Sequence, residues 1–316
     1  LPISELLSEK GYALPGRIGM ELDVLPANHF LSYQKLFQSA EIIDISIQIR
    51  EIRAIKSPYE IERIKESAER SDKMAALFPE LIEEGLTEIS LAGKIEAYAR
   101  ELGHQGIVRM RLWGGELFYG HLLSGPPAAM PSFLASPTGG TGTSPVIGQG
   151  PGMKLIKKHE PILLDYVFAY NGYLSDCTRV YSIGTLPEEL LNFHQAALEI
   201  QERVKERLRP GTTAGELYSV AIDHAQRLGI DDYFMGATDR RIRFIGHGVG
   251  LELDEFPFIA RGHEMPLAEG MVIALEPKAI VPGKGVVGIE NMHLITATGS
   301  EQLTHSSETV QTIKVA

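Results

Sequence analysis

Two windows of 19 residues, Gly85 to Gly103 and Gly211 to Gly229, lie 126 positions apart. They coincide at Gly85/Gly211, Thr87/Thr213, Leu91/Leu217, Ala99/Ala225, Leu102/Leu228 and Gly103/Gly229. Each reads as a helix capped by threonine and stopped by glycine. Such helices are common, and six matches of this kind could arise by convergence. The surroundings favour duplication, because each window follows another helical segment (57–78 and 187–209) and precedes a strand-rich stretch carrying acidic residues. The expectation is a duplicated α+β domain with a pseudo-twofold axis and a functional cleft between its halves.

Residues 1–48 read differently. Arg17 to Glu21 and Glu41 to Ile45 have strand patterns, and 27–39 looks helical. A strand–helix–strand piece of this size has too little core to stand alone, and it reads as the C-terminal remnant of a preceding domain. The main domain, 49–316, opens with Ser57-Pro58-Tyr59-Glu60, which places serine at the N-cap, proline at the first helical position and glutamate three residues after the cap. Between the halves, Pro137 to Gly152 is rich in glycine and proline but lacks a GK[ST] signature, so it reads as a surface loop rather than a phosphate cradle.

Charge and cysteine content narrow the partners. A formal net charge of −11 argues against nucleic acid or an anionic membrane surface. No stretch approaches the ~20 apolar residues that a membrane span needs. Cys177 is the only cysteine, so neither an internal disulfide nor a CxxC zinc site is available. The expectation is a cytoplasmic enzyme.

The acids embedded in apolar runs carry the chemistry. Asn171-Gly172 is a two-residue hairpin turn, which pairs Tyr170 with Tyr173 and Val167 with Asp176. Asp165 then shares a face with Asp176 as a diagonal neighbour. Two carboxylates on one face of an apolar hairpin need a positive partner, and a metal ion supplies it economically. A second hairpin carries Glu276 and Glu290 around Pro282-Gly283-Lys284-Gly285. An even loop would put these two glutamates on opposite faces, whereas a loop of Pro282 to Lys284 would set Glu276 opposite Glu290. A shared site therefore requires an odd loop or a bulge. His247, within Gly246-His247-Gly248-Val249-Gly250, adds an imidazole where glycines permit close approach.

Asp165, Asp176, His247, Glu276 and Glu290, in this order and context, resemble the five-ligand set of the pita-bread metallopeptidases (M24). That family includes methionine aminopeptidase, aminopeptidase P and prolidase. The stretches 172–184, 246–253 and 270–277 are close to its motifs, and 53–65 and 209–218 resemble the creatinase/prolidase branch in particular. The resemblance covers residue 49 to the end, with 1–48 similar to the last part of that branch's N-terminal domain. It implies a pita-bread fold and two divalent ions bridged by Asp176 and Glu290. Asp165 would complete one ion's shell, and His247 with Glu276 the other's. It also implies a metal-activated water that attacks an amide carbonyl, with Glu276 relaying the proton. Manganese, cobalt or iron suits such ligation, with zinc a further candidate. Relatives are often homodimers.

Three positions depart from the family pattern. Ser132 and Asp254 stand where relatives carry histidines, and Gly288 stands where prolidase-like relatives carry arginine. The histidines are associated with holding the scissile amide, and loss of such a donor can cost ~10²–10³ in rate. Ser132 and Asp254 are thus candidate substrate-binding residues, with His121 a further candidate as a substitute histidine. Cys177 reads as core filler, and Arg179 as the partner of a nearby carboxylate. The leading expectation is an Xaa-Pro aminopeptidase or dipeptidase acting on a small peptide or amide. The alternatives are a catalytically weakened homologue acting as a binding module, or a creatinase-like hydrolase of non-peptide amides.

Overall fold

The computed structural model describes residues 3–111, 119–132, 136–237 and 241–314. It divides into two compact units, Leu1–Arg53 and Ala54–Ala316. The first contains α1 (Ile3–Glu9), β1 (Arg17–Met20), α2 (Ala27–Leu36), β2 (Glu41–Asp44) and most of α3 (Ser46–Ala54). β1 and β2 pair in parallel, Arg17 against Glu41. Among its described residues Phe37 is the only buried apolar side chain, so this unit has almost no core of its own.

The second unit begins with α4 (Pro58–Leu81), whose N-terminus is a capping box. The Ser57 side chain accepts from the Glu60 N–H, and the Glu60 side chain accepts from the Ser57 N–H. There follow α5 (Glu88–Glu101), β3 (Gly120–Ser124), β4 (Ile162–Tyr170) and β5 (Tyr173–Ile183), then α6 (Glu188–Lys205) and α7 (Ala214–Arg227). The chain continues through β6 (Phe244–Gly248), β7 (Glu255–Ala260), β8 (Val272–Leu275), β9 (Lys278–Val281) and β10 (Gly285–Gly288), and ends with β11 (Asn291–Ile295), β12 (Ser300–Gln302) and β13 (Gln311–Ile313). One sheet has the order β13-β5-β4-β3, another β12-β11-β8-β6-β7, and β9 and β10 form a two-stranded sheet. Among the described residues, no helix is long and apolar enough to cross a membrane.

The duplication is visible in backbone detail. Thr87 caps α5 by accepting from Ser90 N–H, and Thr213 caps α7 by accepting from Glu216 N–H. The Gly85 N–H donates to Ile156 O and the Gly211 N–H to Leu267 O, both at 2.9 Å. Gly103 and Gly229 end the two helices with φ of 93° and 68°. α5 buries Leu91, Ile95 and Ala99 with Leu164 and Phe168 of one sheet. α7 buries Leu217, Ala221 and Ala225 with Ile245 and Ile273 of the other. The fold is the duplicated α+β pita-bread arrangement.

Both hairpins settle into the register that their turns dictate. Asn171 (φ 50°) and Gly172 (φ 84°) form the two-residue turn of β4–β5, which sets Val167 opposite Asp176 and Asp165 opposite Thr178. In the other hairpin Gly285 pairs with Val281 and Gly288 with Lys278, leaving Pro282, Gly283 and Lys284 as an odd loop. Leu275 pairs with Asn291 in the same register, so Glu276 and Glu290 fall opposite one another. The stretch 137–152 is a surface loop over 143–148, as its composition implies, but not at its start. Pro137, Thr138, Gly139 and Gly140 are buried, because this turn packs under the acidic face of β4.

Candidate metal centre

Five elements deliver side chains to one point. Asp165 comes from β4 and Asp176 from β5. Glu276 follows β8, where Pro277 interrupts the strand, and its N–H donates to Ile245 O at 2.9 Å. Glu290 lies between β10 and β11 and bridges to Thr178. His247 comes from β6, where the backbone runs so close to β8 that a Cβ on the neighbouring Gly246 would stand 2.4 Å from Ala274 O. Only glycine admits that approach.

The imidazole is oriented for binding. His247 Nδ1–H donates to Gly248 O at 3.1 Å, which leaves Nε2 with its lone pair towards the acids. Nε2 lies 3.8 Å from Asp176 Oδ2, 3.8 Å from Glu276 Oε1 and 3.9 Å from Glu290 Oε1. Those separations are too long for hydrogen bonds. Glu290 Oε1 is buried without a hydrogen-bond partner, which is costly for a carboxylate unless a cation approaches it. Asp176, His247 and Glu290 offer ligand atoms within 4.8 Å of one another.

The opposite side of the cluster holds a cation that belongs to the chain. Lys278 Nζ donates to Glu276 Oε2 at 2.7 Å, Glu290 Oε2 at 3.0 Å and Asp165 Oδ2 at 3.2 Å. Its side chain is 1% exposed. Each glutamate therefore divides its oxygens, Oε2 to the ammonium and Oε1 towards the imidazole. The Thr178 hydroxyl lies 2.8 Å from both Asp165 Oδ1 and Glu290 Oε2 and shares its proton between them. Thr138 donates to Asp165 Oδ2 at 3.0 Å, and His121 Nδ1 lies 2.8 Å from Thr138 Oγ1.

The electrostatics show a site short of positive charge. Burial and the neighbouring Glu290 and Asp165 hold the Asp176 carboxyl well above its ordinary value. Burial likewise raises Glu290, despite Lys278, with Glu276 and Asp165 adding to the rise. Burial also works against the charge on Asp165, but Lys278, His121 and the Thr178 and Thr138 hydroxyls outweigh it and keep that carboxyl low. For Lys278 burial is outweighed by Asp165, Glu276 and Glu290, which raise its ammonium. His247 is raised in the same way by Asp254, Glu276 and Asp176 against its burial. Four acids face one ammonium, and the carboxyls of Asp176 and Glu290 are the two held high.

All five residues singled out from the sequence meet here, and the pocket above them is also lined by His121 and Asp254. Asp254 Oδ1 is 3.6 Å from His247 Nδ1. Among the described residues that line this pocket, Ser132 does not appear. Lys278, Thr138 and Thr178 were not anticipated. For Lys278 a signal existed, since it stands two residues from Glu276 and an extended chain puts both on one face. Among the described residues Arg179 makes no ion pair with a carboxylate, contrary to expectation. Its buried guanidinium donates to the carbonyls of Thr178, Glu290 and Ser306 and to Asn291 Oδ1, clamping the backbone that carries Glu290.

The description Metallopeptidase family M24 matches residues 62–297, and Creatinase/Prolidase N-terminal domain matches residues 2–55. The chain is 34% identical to an Xaa-Pro dipeptidase of Pyrococcus furiosus over 81% of its own length and 64% of that protein's, so it spans less than two thirds of this relative. It is 28% identical to an uncharacterized peptidase of Bacillus subtilis, covering 92% of this chain and 73% of the other. Among solved structures, an X-Pro aminopeptidase from Thermotoga maritima aligns at a TM-score of 0.82 and 25% identity, covering 98% of this chain and 78% of the other. A prolidase from Pyrococcus horikoshii aligns at 0.77 and 30%, covering 95% and 78%. A match across most of the sequence, on a fold shared with these structures, makes the chain a member of metallopeptidase family M24, on its creatinase/aminopeptidase P/prolidase branch.

Proposed function

We propose that this chain is a metal-dependent hydrolase that cleaves the C–N bond of a small peptide of the Xaa-Pro type, with Asp176, His247, Glu276 and Glu290 holding a divalent cation. One observation carries this reading. His247 Nε2 and one oxygen from each of three buried acids converge without bonding one another, and Glu290 Oε1 has no other partner. One imidazole among carboxylate oxygens suits manganese, iron or cobalt. Such an ion would supply Lewis-acid polarisation of the scissile carbonyl and make a water nucleophilic at neutral pH.

The chain's own groups do the rest. Glu276 Oε1, the oxygen that Lys278 leaves unengaged, is placed to take the proton of the attacking water and to pass it to the leaving nitrogen. The Gly248 carbonyl fixes the tautomer of His247. Above the acids, Met110, Val167, Phe244 and Leu253 form an apolar wall that fits an uncharged side chain or pyrrolidine ring and excludes water. Asp254 at the rim is suited to a substrate's amino group. A single cysteine and an acidic balance support a cytoplasmic setting.

The test is hydrolysis of an Xaa-Pro dipeptide panel by manganese-loaded protein. Turnover abolished by a chelator and by Asp176→Ala is the expected result. Full metal loading without turnover of any member would redirect the search to non-peptide amides. Failure to bind metal would leave the binding-module reading.

A further inference from the structure

We infer that Lys278 permanently fills the place of one cation, so that this centre takes a single divalent ion, seated among Asp176, His247, Glu276 and Glu290. The inference rests on the metal-dependent reading above and specifies its stoichiometry.

Three observations carry it. The ammonium touches Asp165, Glu276 and Glu290 at once, at 2.7–3.2 Å, so it draws on oxygens from three of the four acids. A second ion beside Asp165 would have to displace it. The remaining donors all lie on the imidazole side, and the one orphaned oxygen, Glu290 Oε1, is there too. The lysine is also built into the backbone. It pairs across the hairpin with Gly288 (φ 154°), where a Cβ would stand 2.6 Å from Lys278 Cα and 2.9 Å from its Cγ. The strand opposite is bare where the lysine stem passes.

With all four acids ionised, the ammonium and one divalent ion bring the formal charge to −1, so a single ion already offsets most of the charge of the acids. A lysine is a point charge with three donors, and here each finds a different carboxylate. Lys278 thus acts as a positioning group. It fixes one oxygen of each glutamate and turns the other towards the ion.

Metal-free protein titrated with manganese chloride by calorimetry should bind one ion per chain. Its electron paramagnetic resonance spectrum should show an isolated six-line manganese signal without exchange coupling. Lys278→Gly should raise the stoichiometry to two and introduce a spin-coupled signal, while Lys278→Arg should stay at one. Two coupled ions in the wild-type chain would overturn this inference and leave the metallohydrolase reading standing. A stoichiometry of one in a folded Lys278→Gly variant would likewise overturn it. No binding by either protein would overturn both. Should the glycine variant not fold, the wild-type stoichiometry and spectrum still decide between one ion and two.

Discussion

Hairpin β4–β5 turns in two residues and offers Asp165 and Asp176 as diagonal neighbours, with Thr178 opposite the first. Hairpin β9–β10 turns in three and continues into a register that sets Glu276 against Glu290, with Lys278 two residues along. The first ribbon brings two negative charges to the centre and no positive one, since its Arg179 is engaged by main-chain carbonyls and Asn291 instead. The second brings two and an ammonium of its own. Turn length alone decides which acids share a face, since a shift of one residue sends every side chain of a strand to the other side. The centre is therefore assembled from one ribbon that needs an outside cation and one that carries part of its own neutralisation.

The comparison can be broken most severely at the turns. One residue inserted between Gly283 and Lys284 should move Glu290 away from Glu276 and abolish manganese binding, as measured by calorimetry. Lengthening Asn171-Gly172 by one should do the same through Asp176. If either insertion leaves binding intact, the register argument fails. Next in size is Lys278→Met, which leaves the opposed glutamates and Asp165 without their ammonium. It should cost about 3–5 kcal/mol of stability in metal-free protein, read by denaturant unfolding, with a larger stabilisation by added manganese than wild type shows.

Smaller effects sharpen the contrast. Thr178→Val removes the hydroxyl that links the two ribbons and should cost about 1–3 kcal/mol. The caps of the duplicated helices, Thr87→Ala and Thr213→Ala, should each cost about 1 kcal/mol, with the α7 variant losing more because its cap is a reciprocal box. The last effect is absent at neutral pH and grows only in acid. His104 lies beside β4, its Nε2–H donating to Val167 O and its Nδ1 accepting from Gly106 N–H. Burial pushes its imidazole down to about 4. His293 on β11 is pushed by burial to about 3. An unfolded histidine takes up its proton near pH 6.5, before either of these does. Stability should thus fall as pH drops below about 6.5 towards 4, and His104→Phe should flatten that slope in unfolding curves taken across the range.

Much of this was legible in the sequence because it rests on local rules. Asn171-Gly172 fixes a two-residue turn whatever surrounds it, and parity reasoning alone tied a joint role for Glu276 and Glu290 to an odd loop at Pro282 to Lys284. The paired threonine caps exposed the duplication. What stayed hidden depends on partners far along the chain. Lys278 opens the otherwise apolar strand β9, where a lysine ordinarily turns to water, and Asp165 is 113 residues away from it. Thr138 lies in a glycine-rich stretch whose composition implies exposure, yet it is buried because it donates to Asp165. Arg179 has a charge that invites a carboxylate, but main-chain carbonyls reach it first.

The bare α-carbon at Gly288 fixes one position of this ribbon whatever side chain stands opposite it. A Cβ there would meet backbone first, Lys278 Cα and Pro277 O both at 2.6 Å, and the lysine Cγ only then at 2.9 Å. Trimming the lysine would therefore strand three acids without making room for a side chain across the ribbon.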